Sequence, residues 1–193
     1  MICILSHGFF HYFYLNQYFK TMTKDDLNSD EYNAYYGTYI SKTVGFSLRE
    51  GLKSSGENTI SFLQSISSDK LEFRYAEGKW TVKEIIQHLM DTERVFAYRA
   101  LRIAREDQTP LPGFEQDDYV PPSQANKRLL EDLLNEFKAI KLANVALFDS
   151  FSDEMLTAKG TASSSPLSVR AAGFIIMGHE IHHCDVIKER YLN

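Results

Sequence analysis

Length, composition and charge point to one soluble globular domain and exclude several classes of protein. The chain has 193 residues, of which 44% are hydrophobic and 24% charged, enough apolar side chains for a full core. Its formal net charge of −5 argues against nucleic acid or a membrane as partner, since anionic partners favour a basic surface. The two cysteines, Cys3 and Cys184, make no disulfide framework, so a cytoplasmic location is expected.

Residues 1–21 differ in composition from the rest of the chain. The stretch MICILSHGFFHYFYLNQYFKT is rich in aromatic residues and lacks the basic, aliphatic and small-residue regions of a signal peptide. The polar segment that begins at Met22 is typical of a cytoplasmic N-terminus. We therefore expect residues 1–21 to be a misassigned extension, with an amphipathic membrane-contact segment as the alternative. Residues 22–193 are expected to form a single domain.

Hydrophobic periodicity predicts four long helices and almost no strand. They follow a polar lead, which is expected to be a short helix or coil on the surface and contains Tyr32, Tyr35, Tyr36 and Tyr39. The predicted helices span roughly residues 46–66, 82–105, 123–150 and 167–191.

The second helix has the clearest start, and the connections suggest the topology. Thr81 and Glu84 form a capping-box pattern directly before and inside the second helix. The long connection TPLPGFEQDDYVPPS follows this helix, and the loop KGTASSS follows the third. The predicted fold class is therefore all-α, a four-helix bundle with a long crossover connection.

The stretch GHEIHHCDVIKERY in the last helix contains three of the six histidines. At 100° per residue, His179 and His183 lie about 40° apart on the apolar side of the helix. Two buried neutral imidazoles need polar partners, and a shared metal ion satisfies both; packed structural histidines are the open alternative. His182 lies at the edge of the apolar stripe, as a supporting or solvated residue. Cys184 lies about 140° from His179, where it is expected to pack as a small apolar side chain.

A metal site needs a third protein ligand, and His88 in the second helix borders the apolar stripe. A lone histidine is more often structural, but together with His179 and His183 it completes a site that leaves positions open for water and substrate. Zinc, nickel, manganese and ferrous iron all accept imidazole ligands. Asp91 is a candidate to fix a ligating ring by accepting its N–H.

Residues 179–183 also match the H-E-x-x-H pattern of metalloproteases. Such a protease uses the glutamate, here Glu180, as general base and takes a third ligand from further along the chain. Only ten residues follow His183 and none of them is a histidine, so we reject this interpretation.

Three runs, KWTVKEIIQHLMDTERVFAYRALRIARED, TPLPGFEQDDYV and GHEIHHCDVIKERY, together resemble the DinB-like (damage-inducible) family over about residues 32–192. The resemblance implies a four-helix bundle with a long crossover and a divalent metal held by three histidines. One comes from the second helix and two from an H-x-x-x-H pair in the fourth, which correspond to His88, His179 and His183 here. Characterised members are thiol-dependent transferases and isomerases that use bacillithiol or mycothiol, and many others carry only a metal-dependent hydrolase label.

The expected function is that of a small metal-dependent enzyme, a thiol S-transferase or a hydrolase. A divalent metal ion (Zn, Ni, Mn or Fe) would lower the pKa of a thiol or a water that attacks a small electrophilic substrate. A low-molecular-weight thiol is a candidate cosubstrate, a small molecule is the expected partner, and a homodimer stays open. The alternatives are a non-catalytic metal-binding module linked to stress and a scaffold that needs no metal.

Three arginines, Arg99, Arg102 and Arg105, recur along the second helix. Salt bridging at the surface is the simpler interpretation of each, and binding of a substrate carboxylate by one of them is the alternative. Trp80 and Tyr119 are candidates either for a pocket wall or for packing.

Overall fold

The structure is a computed structural model that describes residues 21–192. The hypothesis that residues 1–21 are a misassigned extension concerns a segment that, except for residue 21, lies outside the described part of the chain. The α-helices are α1 (Gly37–Ile40), α2 (Leu48–Gln64), α3 (Val82–Ala104), α4 (Gln116–Ser123), α5 (Leu130–Asp149), α6 (Asp153–Thr157) and α7 (Val169–Arg190). The strands are β1 (Lys159–Ala162) and β2 (Ser165–Ser168).

The four long helices α2, α3, α5 and α7 form the predicted bundle. Helix α7 packs against α2 and α3, and α5 packs against the same two helices from the other side. Consecutive helices α2 and α3 therefore lie diagonally across the bundle, as do α5 and α7. Among residues 21–192, no helix combines the length and the apolar character needed to cross a bilayer.

Helix α3 begins as its sequence predicts. The Thr81 hydroxyl accepts a hydrogen bond from the Glu84 N–H at 3.1 Å, and the Glu84 carboxylate accepts one from the Thr81 N–H at 2.8 Å. This reciprocal cap satisfies two N–H groups that a helix start otherwise leaves unpaired. It fixes the start of the helix that carries His88.

Two glycines that weaken the helical pattern of α2 allow close helix packing. A Cβ atom at Gly51 would lie 2.5 Å from Cε of Met177, and one at Gly56 would overlap the side chain of Lys141. Glycine costs about 1 kcal/mol of helix propensity relative to alanine. In α2 this cost is offset because Gly51 lets α7 pack closely and Gly56 leaves room for the side chain of Lys141 to enter the bundle.

The connections between the long helices differ from the prediction. The third long helix begins at Leu130 rather than near residue 123, because residues 116–123 form the separate helix α4, which ends where Gln124 adopts a left-handed conformation (φ 52°). The KGTASSS region is a β-hairpin, with Lys159 opposite Ser168 and Ala162 opposite Ser165. Four-residue strands of mostly polar residues carry no clear alternation, so no strand is predicted there from hydrophobic periodicity.

The tyrosine-rich lead is more than a surface segment. Glu31 is fully buried and accepts hydrogen bonds from Arg170 Nε at 2.8 Å and from the Ser168 hydroxyl at 2.7 Å, which ties the lead to the start of α7. Further along, a Cβ atom at Gly178 would overlap the backbone carbonyl of Tyr39. Glycine therefore lets α1 contact α7, and this contact places Tyr39 beside the histidines.

Candidate metal centre

The fold brings His88, His179 and His183 together. Nε2 of His179 lies 3.0 Å from Nε2 of His88 on α3 and 3.0 Å from Nε2 of His183, one turn further along α7. One ring nitrogen from each of the three residues lies within 4.8 Å of the others. His88 and His179 are buried and His183 is half-buried, so the cluster lies inside the bundle.

The charge state of these rings suits metal binding. Burial lowers the pKa of His88 to about 4, and burial together with the neighbouring imidazoles lowers the pKa of His179 and His183 well below the ordinary value. All three rings are therefore neutral at pH 7. Neutral imidazole offers a lone pair to a metal, whereas imidazolium does not.

The hydrogen-bonding capacity of the cluster also fits a cation. Nε2 of His179 carries either one N–H or one lone pair, so it cannot make a good hydrogen bond to both neighbouring nitrogens. Two metal–nitrogen bonds of about 2 Å span up to about 4 Å, which includes both 3.0 Å separations. A divalent cation at the centre would accept all three lone pairs, and the donor set therefore fits such an ion.

The residue that contacts the outer nitrogen of His88 is Thr92, not Asp91. Nδ1 of His88 lies 3.4 Å from the Thr92 hydroxyl, so this hydroxyl contacts the ring nitrogen that points away from the cluster and helps to hold the ring in place. Asp91 instead accepts a hydrogen bond from Gln87 at 3.0 Å and lies 3.8 Å from Arg94. The hypothesis for Asp91 is therefore wrong. The i, i+4 spacing of His88 and Thr92 was the sequence signal for the actual contact.

The remaining residues of the histidine stretch have separate roles. His182 packs edge-on against the rings of Tyr39 and His183, with centroids 5.2 and 5.1 Å away. Cys184 is buried with its sulfur 3.7 Å from the Thr59 hydroxyl, and burial raises the pKa of its thiol to about 11. A thiol protonated at neutral pH is a poor nucleophile, so Cys184 serves packing.

The carboxylate of Glu180 forms hydrogen bonds with residues outside the histidine cluster. Its carboxylate accepts hydrogen bonds from Lys141 at 2.5 Å and from the Ser55 hydroxyl at 3.3 Å. A protease of the H-E-x-x-H type needs this glutamate to hold a water at the metal. The structure therefore agrees with the rejection of that interpretation.

Two cavities flank the histidines. One of about 430 Å³ is lined by His182, His183 and Trp80, and the ring of Trp80 lies 4.7 Å from that of His88. The other, of about 230 Å³, reaches His179 and is called the tyrosine cavity below. Its lining includes Tyr35, Tyr36, Tyr39, Thr92, Phe96, Phe114, Ser163 and His179.

The lead and the crossover contribute more to these cavities than the sequence indicated. Gln116 and Asp117 at the start of α4 line both cavities. Tyr119 lies elsewhere, in a third hollow beside Arg94 and Tyr98. Trp80 is thus a wall residue of the site, whereas Tyr119 is not.

The fold and the cluster define a class of protein, a helical bundle with three histidines gathered between two of its long helices. The profile of the DinB superfamily matches residues 52–187, so the chain belongs to this family. The recognition from the three sequence runs is thereby confirmed, and so is the predicted fold class.

Sequence relatives carry names that refer to metal-dependent chemistry. A protein of Oceanobacillus iheyensis named "Putative metal-dependent hydrolase" is 24% identical over 128 residues, which cover 65% of this chain and 73% of the relative. A protein of Geobacillus thermodenitrificans with the same name is 22% identical over 122 residues, covering 61% of this chain and 67% of the relative. The chain thus belongs to a family whose named relatives are described as metal-dependent, without a specific activity.

Solved structures share the fold at low sequence identity. YfiT from Bacillus subtilis, described as "a probable metal-dependent hydrolase with an unusual four-helix bundle topology", superposes with a TM-score of 0.67 at 14% identity, covering 85% of this chain and 90% of YfiT. A mycothiol-dependent maleylpyruvate isomerase superposes with a TM-score of 0.61 at 10% identity, covering 85% of this chain and 62% of the isomerase. These likenesses show the bundle topology alone.

Proposed function

We propose that this protein is a metal-dependent enzyme in which His88, His179 and His183 bind one divalent ion, with Zn, Ni, Mn and Fe as the candidates. The observation that carries the proposal is the pair of 3.0 Å separations between Nε2 atoms in a cluster set between two cavities. Three protein ligands leave positions open for other molecules, which is typical of catalytic and not of structural metal sites.

The chemistry that a bound divalent ion would supply is Lewis-acid activation, which lowers the pKa of a water or a thiol for attack on a small electrophilic substrate. The protein's own residues prepare the site for this. Burial keeps the three rings neutral, so their lone pairs are available at pH 7. Thr92 contacts the outer nitrogen of His88, while the ring of Tyr39 packs against those of His179 and His182.

The names of the sequence relatives favour a hydrolase, and the likeness to a mycothiol-dependent isomerase favours a thiol transferase with a low-molecular-weight thiol as cosubstrate. Two cavities on either side of the histidines are compatible with a two-substrate reaction, because each cavity reaches a different histidine of the cluster. To distinguish the two reactions, one preparation is assayed for hydrolysis of a panel of esters and amides and for thiol transfer to a panel of electrophiles with added thiol.

Elemental analysis of protein purified without added metal or chelator tests the proposal. We expect about one divalent ion per chain in the wild type and a loss of at least ten-fold in His179→Ala. His182→Ala is the matched control, because its ring is adjacent to the cluster but is not one of the three that converge. Metal retained in full by His179→Ala would refute the assignment, whereas bound metal without turnover on either panel would favour a non-catalytic metal-binding module.

A further inference from the structure

A groove lies between α2 and α5 on the outside of the bundle and is called the α2–α5 groove below. Its volume is about 550 Å³, larger than that of the tyrosine cavity or of the cavity lined by Trp80. Most of its surface is apolar, and Leu142 in its lining is 74% exposed, more than any other large hydrophobic side chain in the described part of the chain. Covering such a surface is favourable, because it removes apolar area from water.

Four residues of α5 form a straight stripe along this groove. They follow one another at intervals of four, three and four positions and are Lys138, Leu142, Val145 and Asp149. At 100° per residue all four lie within an arc of about 60°. Leu142 and Asp149 are exposed and the other two are half-buried, so the outer side of the stripe faces solvent. Alternating intervals of three and four are the pattern with which one helix packs lengthwise against another.

The two ends of the stripe carry opposite charges that are available to a partner. Lys138 at one end and Asp149 at the other form no ion pair with another of residues 21–192. Lys53 and Glu57 on α2 line the same groove, so its exposed charges balance, whereas the whole chain has a formal net charge of −5. Two copies of the chain can therefore approach each other through this face without the repulsion expected elsewhere.

The stripe is complementary to itself when two copies of α5 run antiparallel. Lys138 and Asp149 are equally far along the helix from the point between residues 143 and 144, and so are Leu142 and Val145. A two-fold axis through this point places each lysine against the aspartate of the other copy and each leucine against the valine of the other copy. The apolar pairs then lie at the centre and the ion pairs at the rim, which is the usual arrangement of a protein interface.

The face formed by α2 and α5 is large enough for a dimer. Helix α5 has 20 residues and α2 has 17, so the face is about 30 Å long at 1.5 Å per residue. Two packed helices are about 20 Å wide, which gives an area on the order of 600 Å² before the relief of the side chains is counted. This is comparable with the roughly 800 Å² that each partner buries in a stable interface.

We propose that the α2–α5 groove is the interface of a homodimer, in which the α5 helices of two copies pack antiparallel about a two-fold axis between residues 143 and 144. Leu142 of each copy enters the groove of the other, and two pairs of Lys138 with Asp149 close the rim. The partner is a second copy of this chain, because the charges and the apolar residues that match are its own. The proposal does not rest on the metal centre, whose histidines lie on α3 and α7.

Sedimentation velocity of the full chain tests the proposal, with and without a chelator. The wild type should be dimeric at about 100 μM in both conditions, which corresponds to a dissociation constant in the micromolar range or below. Lys138→Glu and Asp149→Lys each bring like charges together at two places, so each should raise the dissociation constant at least ten-fold. Reversal of the charge is needed, since loss of an exposed ion pair alone has a small effect. Asp132→Lys is the matched control, because Asp132 is exposed on the same helix about 100° away from the stripe and should leave the dimer intact.

Recombination of the two reversed charges tests the antiparallel pairing itself. A mixture of Lys138→Glu with Asp149→Lys should form heterodimers, because opposite charges then meet at both ends of the stripe. The double variant that carries both substitutions should dimerise with itself for the same reason, which also shows that each substitution is compatible with folding. A wild type that stays monomeric would overturn the proposal and leave the α2–α5 groove to a different partner. Dimers that persist in both single variants, or single variants that fail to associate with each other, would overturn it as well.

Discussion

Nζ of Lys141 on α5 lies 2.5 Å from a carboxylate oxygen of Glu180 on α7, the helix diagonally opposite in the bundle. The same ammonium lies 3.3 Å from Glu93 on α3, and Ser55 on α2 donates to the other oxygen of Glu180. All four long helices therefore meet in one buried polar layer. Since Glu180 follows His179 directly in the chain, this layer links the packing of α5 to the position of the candidate metal centre.

Removing the cation from this layer should destabilise the protein strongly. Lys141→Met would leave the carboxylates of Glu93 and Glu180 buried without a counter-ion, and loss of one partner from such a site costs about 3–5 kcal/mol. Adding Glu93→Gln and Glu180→Gln to Lys141→Met should restore most of the free energy of unfolding. Urea unfolding measures it, with Lys138→Met one turn away as the control that changes it by less than about 0.5 kcal/mol. A mild effect of Lys141→Met would show that water reaches the layer.

Acid should weaken the attachment of the lead to α7. Burial tends to raise the pKa of Glu31, but hydrogen bonds from Arg170, the Asn28 N–H and Ser168 outweigh it and bring the pKa to about 2, below the ordinary 4.5. Because the folded-state pKa is lower, the stabilisation is complete above pH 4.5 and is lost as the pH falls toward 2. The loss should reach about 3 kcal/mol.

Two variants isolate this contribution. Glu31→Gln should be less stable than the wild type at pH 7 and should lack the corresponding pH dependence of the unfolding free energy. Asp30→Asn is the control, because Asp30 pairs with Lys159 at 2.8 Å on the surface and exposed pairs contribute at most about 1 kcal/mol. An unchanged pH profile in Glu31→Gln would mean that other carboxylates cause the acid sensitivity.

Gly178→Ala should separate the lead from α7. The added Cβ would overlap the Tyr39 carbonyl, which is backbone and cannot rotate away, and overpacking of this kind costs about 1–3 kcal/mol. Faster amide hydrogen exchange in residues 37–43 would report the displacement. Gly37→Ala is the control, because a Cβ there meets no atom within 4 Å and should leave stability equal or higher. Slow exchange in Gly178→Ala would indicate that α7 shifts as a unit with the lead.

Metal removal should lower the melting temperature of the wild type. An ion that binds only the folded protein stabilises it by about 2.7 kcal/mol at a free concentration one hundred times its dissociation constant. Chelation should therefore lower Tm, and titration with Zn²⁺, Ni²⁺, Mn²⁺ or Fe²⁺ should raise it again, to an extent that ranks the ions. His88→Ala should show no response to any of them. A rise in Tm of the same size in His88→Ala would place the ion elsewhere.

Much of this protein is encoded by local patterns in its sequence. Thr81 and Glu84 identified the start of α3, and apolar periodicity located the four long helices, because helical hydrogen bonds and side-chain contacts join residues three or four apart. The spacing of His179 and His183 likewise placed both rings on one helix face. Such relations can be read without knowledge of the rest of the chain.

Tertiary structure decided the relations between distant segments. The approach of His88 to His179 joins residues 91 positions apart. The hairpin exists because the β1 and β2 strands pair with each other and Leu111 of the crossover adds to their edge with backbone hydrogen bonds of 2.9 and 3.0 Å. The entry of Lys141 past Gly56 and the pairing of Arg99 with Ser163 depend on the same kind of contact. The favourable free energy of these contacts comes from burial and pairing between distant segments. Such contacts produce no periodic pattern of residues in the sequence.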